Sequence, residues 1–210
     1  MINSHIDNLV KRLPELAALK PILEEAVQIM LLTYNNGGKI ITCGNGGSAA
    51  DAEHIVGELM KGFLLKRPLP EEIKKRLKNA GCAQEVYEHL QSPIPAISLV
   101  GGIALPTAFA NDVNGVLSFA QQILGLAKKT DTLMAISTSG NSPNVIYAAQ
   151  TAKALGVKII SMTGKKESRL SATSDLTIMA PSCETPIIQE YHLAIYHTLC
   201  AQLEYLIFGD

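Results

Sequence analysis

The sequence carries no excess of charge: 18 Lys and Arg stand against 19 Asp and Glu, for a net charge of -1. Without an overall basic field nothing draws nucleic acid or an anionic membrane, so any anion must be held locally. No run of about 18 uninterrupted apolar residues is present, and the opening MINSHIDNLVKRLPEL has no charged stretch followed by an apolar one. Neither a membrane span nor a secretory leader is expected. Cys43, Cys82, Cys183 and Cys200 lie far apart and form no C-x-x-C pair. They read as reduced thiols of a cytoplasmic protein. No tract is dominated by glycine or proline, and 210 residues at 47% hydrophobic content suit one globular domain, residues 1–210, whose core needs no staples.

What is present is a strand–loop–helix grammar. Apolar residues recur at helical spacing from Ile6 to about Tyr34, with Pro14 and Pro21 suggesting two helical pieces before the break at Asn35–Gly38. The short apolar run Lys39–Cys43 leads through a glycine loop into a helical pattern from Ser48 to Phe63. Similar runs return at Ile94–Val100, Thr132–Ser137, Val157–Thr163 and Asp175–Ala180. Apolar on both faces and mostly followed by helices, they predict a buried parallel sheet of the α/β class. The charged stretch from Arg67 to Pro93 reads as a helical excursion. Thr185–Phe208 reads as one long helix, since Pro186 is tolerated in a first turn. Its apolar residues nearly encircle it, more than one core face requires, which points to an oligomer.

Two loops stand out. In Gly44-Asn45-Gly46-Gly47-Ser48 the glycines let the backbone approach a ligand, and Ser48 with Asp51 matches a capping-box pattern at the start of the next helix. A helix start after a strand offers free N–H groups and a favourable dipole to an anion. Alone this loop is equally an ordinary turn. The second loop, Ser137-Thr138-Ser139-Gly140-Asn141-Ser142, adds four hydroxyls and places Pro143 at a first helical position. Neither loop holds a lysine, which argues against a P-loop, and no GxGxxG is present. Hydroxyls and amides without a fixed cation suit a sugar monophosphate.

His54 and Glu58, four apart, share a face of the helix that begins at Ser48, within reach of a ligand on the first loop. Their plainer reading is a surface pair. Gln189, His192 and His197 lie on the C-terminal helix, but Gln189 and His197 are separated by about 12 Å along a regular helix and about 80° around it, awkward for one atom. Asn111-Asp112 closes the stretch Ile103–Ala110, where a turn-forming pair is the ordinary reading.

Taken together, CGNGGSAADAEH at Cys43–His54, Asn111-Asp112, STSGNSPNVI at Ser137–Ile146, MTGK at Met162–Lys165 and IQEYH at Ile188–His192 closely resemble the SIS (sugar isomerase) domain of bacterial phosphoheptose isomerases. The resemblance spans nearly the whole chain, with 67–93 longer than the matching connection. It implies a three-layer, flavodoxin-like sandwich with a mostly parallel five-stranded sheet, N-terminal helices and a long C-terminal helix. It also implies interconversion of sedoheptulose 7-phosphate and D-glycero-D-manno-heptose 7-phosphate by a zinc-containing homotetramer. Residue by residue, it assigns Asn45, Gly46, Gly47, Ser48, Glu58, Asn111, Asp112, Ser137, Thr138, Ser139, Ser142 and Gln189 to the substrate. His54, Glu58, Gln189 and His197 match the zinc ligands, with Glu58 as base and His197 as acid. Where members commonly read ELxGRF, this chain reads ELMKGF at Glu58–Phe63. Another sugar phosphate, or a non-catalytic binding module, are the alternatives; a binding module has no chemical use for Glu58 and His197 together.

Overall fold

The structure is a computed structural model that describes residues 5–209. The chain opens with α1 (His5–Arg12), a 3-10 turn (Pro14–Leu19) and α2 (Lys20–Asn35), three helical pieces rather than two. Pro14 and Pro21 each stand in a first turn, where a missing N–H is no loss, so the prolines start segments rather than break them. Next come β1 (Ile40–Cys43), α3 (Gly47–Met60), α4 (Glu71–Asn79), α5 (Gln84–His89) and β2 (Ala96–Ser98). After β2 follow α6 (Ala104–Phe109), a π turn (Ala110–Asn114), a 3-10 turn (Gly115–Leu117) and α7 (Ser118–Leu126). β3 (Thr132–Ile136), α8 (Pro143–Ala154), β4 (Lys158–Thr163), α9 (Arg169–Thr173), β5 (Leu176–Met179) and α10 (Thr185–Phe208) complete it.

The five strands pair in the order β2-β1-β3-β4-β5, every pairing parallel. Alternate strand residues enter different cores, as the period of two demands. Ile40, Met134, Ile136, Ile160 and Met162 pack with Leu23, Met30, Ile55 and Leu199 beneath α2, α3 and α10. Ile41, Cys43, Leu133, Ala135 and Ile159 pack with Ile123, Val145 and Ala149 beneath α7 and α8. This is the three-layer sandwich, and it explains why the strand runs are apolar throughout. The chain passes from β1 to β2 on one side, then returns to β3 on the other. The loops after β1 and β3 therefore open side by side at the carboxyl edge, the switch point where such sheets bind ligands.

The excursion is closed at its base by a Pro68–Gln91 bridge and by Ser92 N donating to the Arg67 carbonyl at 2.8 Å. Its helices α4 and α5 pack on each other and bury no residue of their own. Arg67 itself is buried, and its Nε lies 2.6 Å from Glu204 Oε1 on α10. Glu204 also accepts from the amides of Phe63, Leu64 and Leu65 at 2.7–3.0 Å. Arg67 donates back to the Leu59 carbonyl at the end of α3. Among the described residues no helix is long and apolar enough to cross a membrane.

Burial by itself would raise the Glu204 carboxyl, but the loop amides and Arg67 outweigh it and hold the group below its ordinary 4.5. Its stabilising contribution is therefore present at neutral pH and is lost as pH falls through the folded value. Glu204→Gln leaves the buried guanidinium uncompensated and is expected to cost about 3 kcal/mol. Urea unfolding at pH 7 checks this, with the gap between wild type and variant narrowing as pH falls below about 4.5.

Candidate functional site

The first loop turns at Gly46, whose φ of +56° favours glycine and whose carbonyl accepts from the amides of Ala49 and Ala50. Gly46, not Ser48, is the N-cap of α3, and no side chain caps this helix. The expected Ser48–Asp51 capping box is absent because the tighter glycine turn starts the helix earlier and buries Ser48 within its first turn. The helix-start amides thus have no side-chain cap to compete with an anion. A Cβ on Gly47 would strike the side-chain amide of Gln189, which lies directly over it.

The second loop leaves β3 with Ser137 N bonded to the Met162 carbonyl, and Ser137 Oγ lies 3.1 Å from Ser142 Oγ. The Thr138 carbonyl accepts from Gly164, Ser139 Oγ accepts from Asn141 N, and Gly140 adopts φ +63°. Pro143 opens α8 as the sequence predicts. The loops are joined by a reciprocal amide pair: Asn45 Nδ2 donates to Asn144 Oδ1 and Asn144 Nδ2 to Asn45 Oδ1, both at 2.8 Å. Nothing local singles out Asn144 within its motif, since only tertiary structure pairs residues 99 positions apart.

On the next turns of α3, His54 Nε2 lies 3.2 Å from Glu58 Oε1 and 3.4 Å from Nε2 of His197 on α10. Lys61 Nζ bonds Glu58 Oε2 at 2.7 Å. Burial tends to raise the Glu58 carboxyl, yet Lys61 and His54 together hold it below its ordinary value, so it is a carboxylate at neutral pH. Burial, then the neighbouring His54 and the Arg12 charge, push His197 down against the pull of Glu58, leaving a neutral ring. Below His54, the Tyr196 hydroxyl reaches its Nδ1 at 2.9 Å. Burial, then Asp51, pushes that hydroxyl up, and it keeps its proton. A cleft of 370 Å³ opens beside His197, walled by Phe63, Thr198 and Arg12.

Other expected groups stand apart. Asn111 donates to its neighbour Asp112 at 2.8 Å, and both are exposed on the π turn. Gln189 rests on Gly47 at the first loop. His192 is a strut: fully buried and pushed down to about 4 by burial, it donates to the Thr163 carbonyl at the end of β4.

Two donors each 2.0–2.1 Å from a tetrahedral zinc stand roughly 3.3 Å apart, and the 3.2 and 3.4 Å separations about His54 match that edge. Two imidazoles and a carboxylate are also the donor chemistry zinc takes. The residues fit the ion in kind and, for the two pairs about His54, in spacing, while among the described residues no group of three His, Cys, Asp or Glu is placed to hold a metal ion.

A family profile described as SIS domain matches residues 105–206, and a second of the same description matches 4–92. A phosphoheptose isomerase of Helicobacter pylori is 36% identical over 208 residues, covering 95% of this chain and 96% of that protein. Among solved structures, a phosphoheptose isomerase from Francisella tularensis aligns with a TM-score of 0.75 at 30% identity, over 96% of this chain and 95% of that one. One from Neisseria gonorrhoeae gives 0.74 at 28% identity, over 95% of each.

Asn144→Ala removes the brace on Asn45 without touching the sheet. Affinity for a sugar monophosphate, read by calorimetry, is expected to fall about five-fold for ~1 kcal/mol of lost hydrogen bonding, with the melting temperature nearly unchanged.

Proposed function

The chain belongs to the phosphoheptose isomerase family of SIS-domain proteins, and from that premise we propose how its residues interconvert sedoheptulose 7-phosphate and D-glycero-D-manno-heptose 7-phosphate. It is an aldose–ketose isomerase. The observation that carries the reading is the contact, on the helix that starts at the first loop, of an ionised Glu58 with His54, and of His54 with a neutral His197 on α10.

Asn45, Gly46, Gly47 and Ser48 hold the phosphate with Ser137, Thr138, Ser139 and Ser142. Seven residues of helical rise from Gly47 to His54 span about 10 Å. Six carbon–carbon bonds of about 1.5 Å, extended in zigzag with the phosphate ester beyond, cover a similar span. A seven-carbon chain anchored by its phosphate therefore brings its carbonyl end to Glu58. Glu58 takes the proton from the carbon beside the carbonyl, the bonding pair becomes the enediolate double bond, and charge moves to oxygen. The neutral His197 donates a proton to that oxygen and then takes one from the hydroxyl on the adjacent carbon, which becomes the new carbonyl, while the protonated Glu58 delivers its own to the former carbonyl carbon. Gln189, over Gly47, orients hydroxyls near the phosphate, and Asn111 with Asp112 completes the substrate set.

Zinc, held by His54, Glu58 and His197, supplies positive charge to the carbonyl and hydroxyl oxygens when bound. By the family resemblance Gln189 would be the fourth donor; in this chain it lies against Gly47 at the first loop. Homotetramer formation is supported by the outward-facing Ile103, Leu105 and Val113, 81%, 46% and 65% exposed, on the segment that carries Asn111 and Asp112. Cytoplasmic residence belongs to the same reading, supported by four cysteines that form no disulfide.

Glu58→Gln is expected to lower turnover of sedoheptulose 7-phosphate by at least 10²-fold while sparing affinity for a sugar phosphate; full activity would sink the mechanism. Ketose 5-, 6- and 7-phosphates assayed with and without chelator test chain length and metal together. Turnover on none of them favours the binding module. Ile103→Glu is expected to dissociate the tetramer in sedimentation equilibrium and to remove activity with it.

A further inference from the structure

The cleft beside His197 lies past the reactive groups as measured from the first loop. Along α10, Gln189 sits over Gly47, His197 meets His54, and Thr198 and Ala201 carry the helix on into the cleft wall. Along α3 the order is the same: the loop, His54, Glu58, then Phe63 and Leu64 beyond the helix end. The cleft therefore extends the site away from the loops, and its 370 Å³ falls in the range of small-molecule pockets, far more than one hydroxyl fills. Its charge is one-sided. Arg12 lines it, His5 adds an imidazole, and among its described lining residues none is acidic. The Arg12 guanidinium has no ion pair or hydrogen bond among the described residues. Thr198 Oγ1 already donates to the Ala194 carbonyl at 2.9 Å, which leaves the guanidinium as the principal donor.

We propose that this cleft is a second anion subsite, with Arg12 as its main donor, and that it takes the second phosphate of a sugar bisphosphate whose first phosphate sits at the loops. The direction of the sugar rests on the proposed function: with the 7-phosphate on the loops and the carbonyl end at Glu58, a group on the O1 oxygen extends past His197. Ala201 lies about 6 Å along the helix from His197, a span that a phosphate ester and its hydrogen bond cover. A planar guanidinium grips two phosphate oxygens at once, and the absence of a lining carboxylate leaves that charge unopposed. Sedoheptulose 7-phosphate ends at O1 and leaves the cleft to water. In the 1,7-bisphosphate the O1 oxygen is esterified and cannot become the aldehyde of the aldose, so that molecule binds without turnover. The cleft thus gives the isomerase a means of inhibition by a sugar phosphorylated at its reacting end.

Calorimetric titration of sedoheptulose 7-phosphate and of sedoheptulose 1,7-bisphosphate into the full chain reads the subsite. The bisphosphate is expected to bind about 10-fold more tightly, the worth of a hydrogen bond to a charged group, and to inhibit isomerisation competitively. Arg12→Ala, at an exposed position, is expected to abolish that preference, and Arg12→Lys to retain part of it. Equal affinity for the two ligands in wild type, or a preference that survives Arg12→Ala, overturns the proposal. In 15N spectra the Nε–H signal of Arg12 is expected to shift when the bisphosphate binds, and a signal that stays in place overturns it as well. If the 7-phosphate neither binds nor turns over, the proposed function fails instead, and the Arg12 signal still decides the cleft.

Discussion

The pairing of β1 with β3 is the constraint on which the site depends. Ile41 lies beside Leu133 and Cys43 beside Ala135, so strands far apart in sequence end together and release their loops at the same edge. Because both strands are parallel and buried on both faces, neither can slip without driving apolar residues into the wrong layer. The Asn45–Asn144 amide pair is a consequence of that registry, as is the placing of the serine-rich loop beside the uncapped start of α3.

A second dependence runs through α10. It places Gln189 on the first loop, His192 under the end of β4, Tyr196 and His197 against α3, and Glu204 on the chain segment that leaves α3. The first loop, the His54–Glu58–His197 cluster and the exit of α3 are thus tied to one rigid element. The Arg67–Glu204 pair is costly to bury, and its value here is positional: it gathers three loop amides and the end of α3 around one carboxylate. Glu58, one residue before Leu59, inherits that fixed position.

The departure at Lys61-Gly62 takes on a physical meaning in this setting. Lys61 turns back onto Glu58, supplying a cation within the cluster, while Gly62 packs closely against the Leu65 carbonyl and donates to Gln91. A side chain at 62 would push the excursion off its base. The glycine leaves room for the base of the α4–α5 segment, and the lysine puts a positive charge beside Glu58.

Much of the fold was legible from sequence because buried parallel strands and their helices leave local signals: apolar runs, glycine turns, and prolines at helix starts. Thr185–Phe208 and the five strand cores lie where periodicity puts them. The His54–Glu58 pair was legible too, since a four-residue spacing on one helix guarantees a shared face. What lay beyond the sequence is what depends on distance across the fold. Ser48 fits a capping pattern with Asp51, yet a glycine turn displaced it, and no side chain caps α3. Asn144 and Tyr196 show no local pattern that marks them. The sequence by itself determined the strand–loop–helix units and their chemistry, because these rest on interactions between near neighbours. Only the tertiary structure decided which units meet, because strand order and the packing of α10 on α3 are settled by burial summed over the whole core.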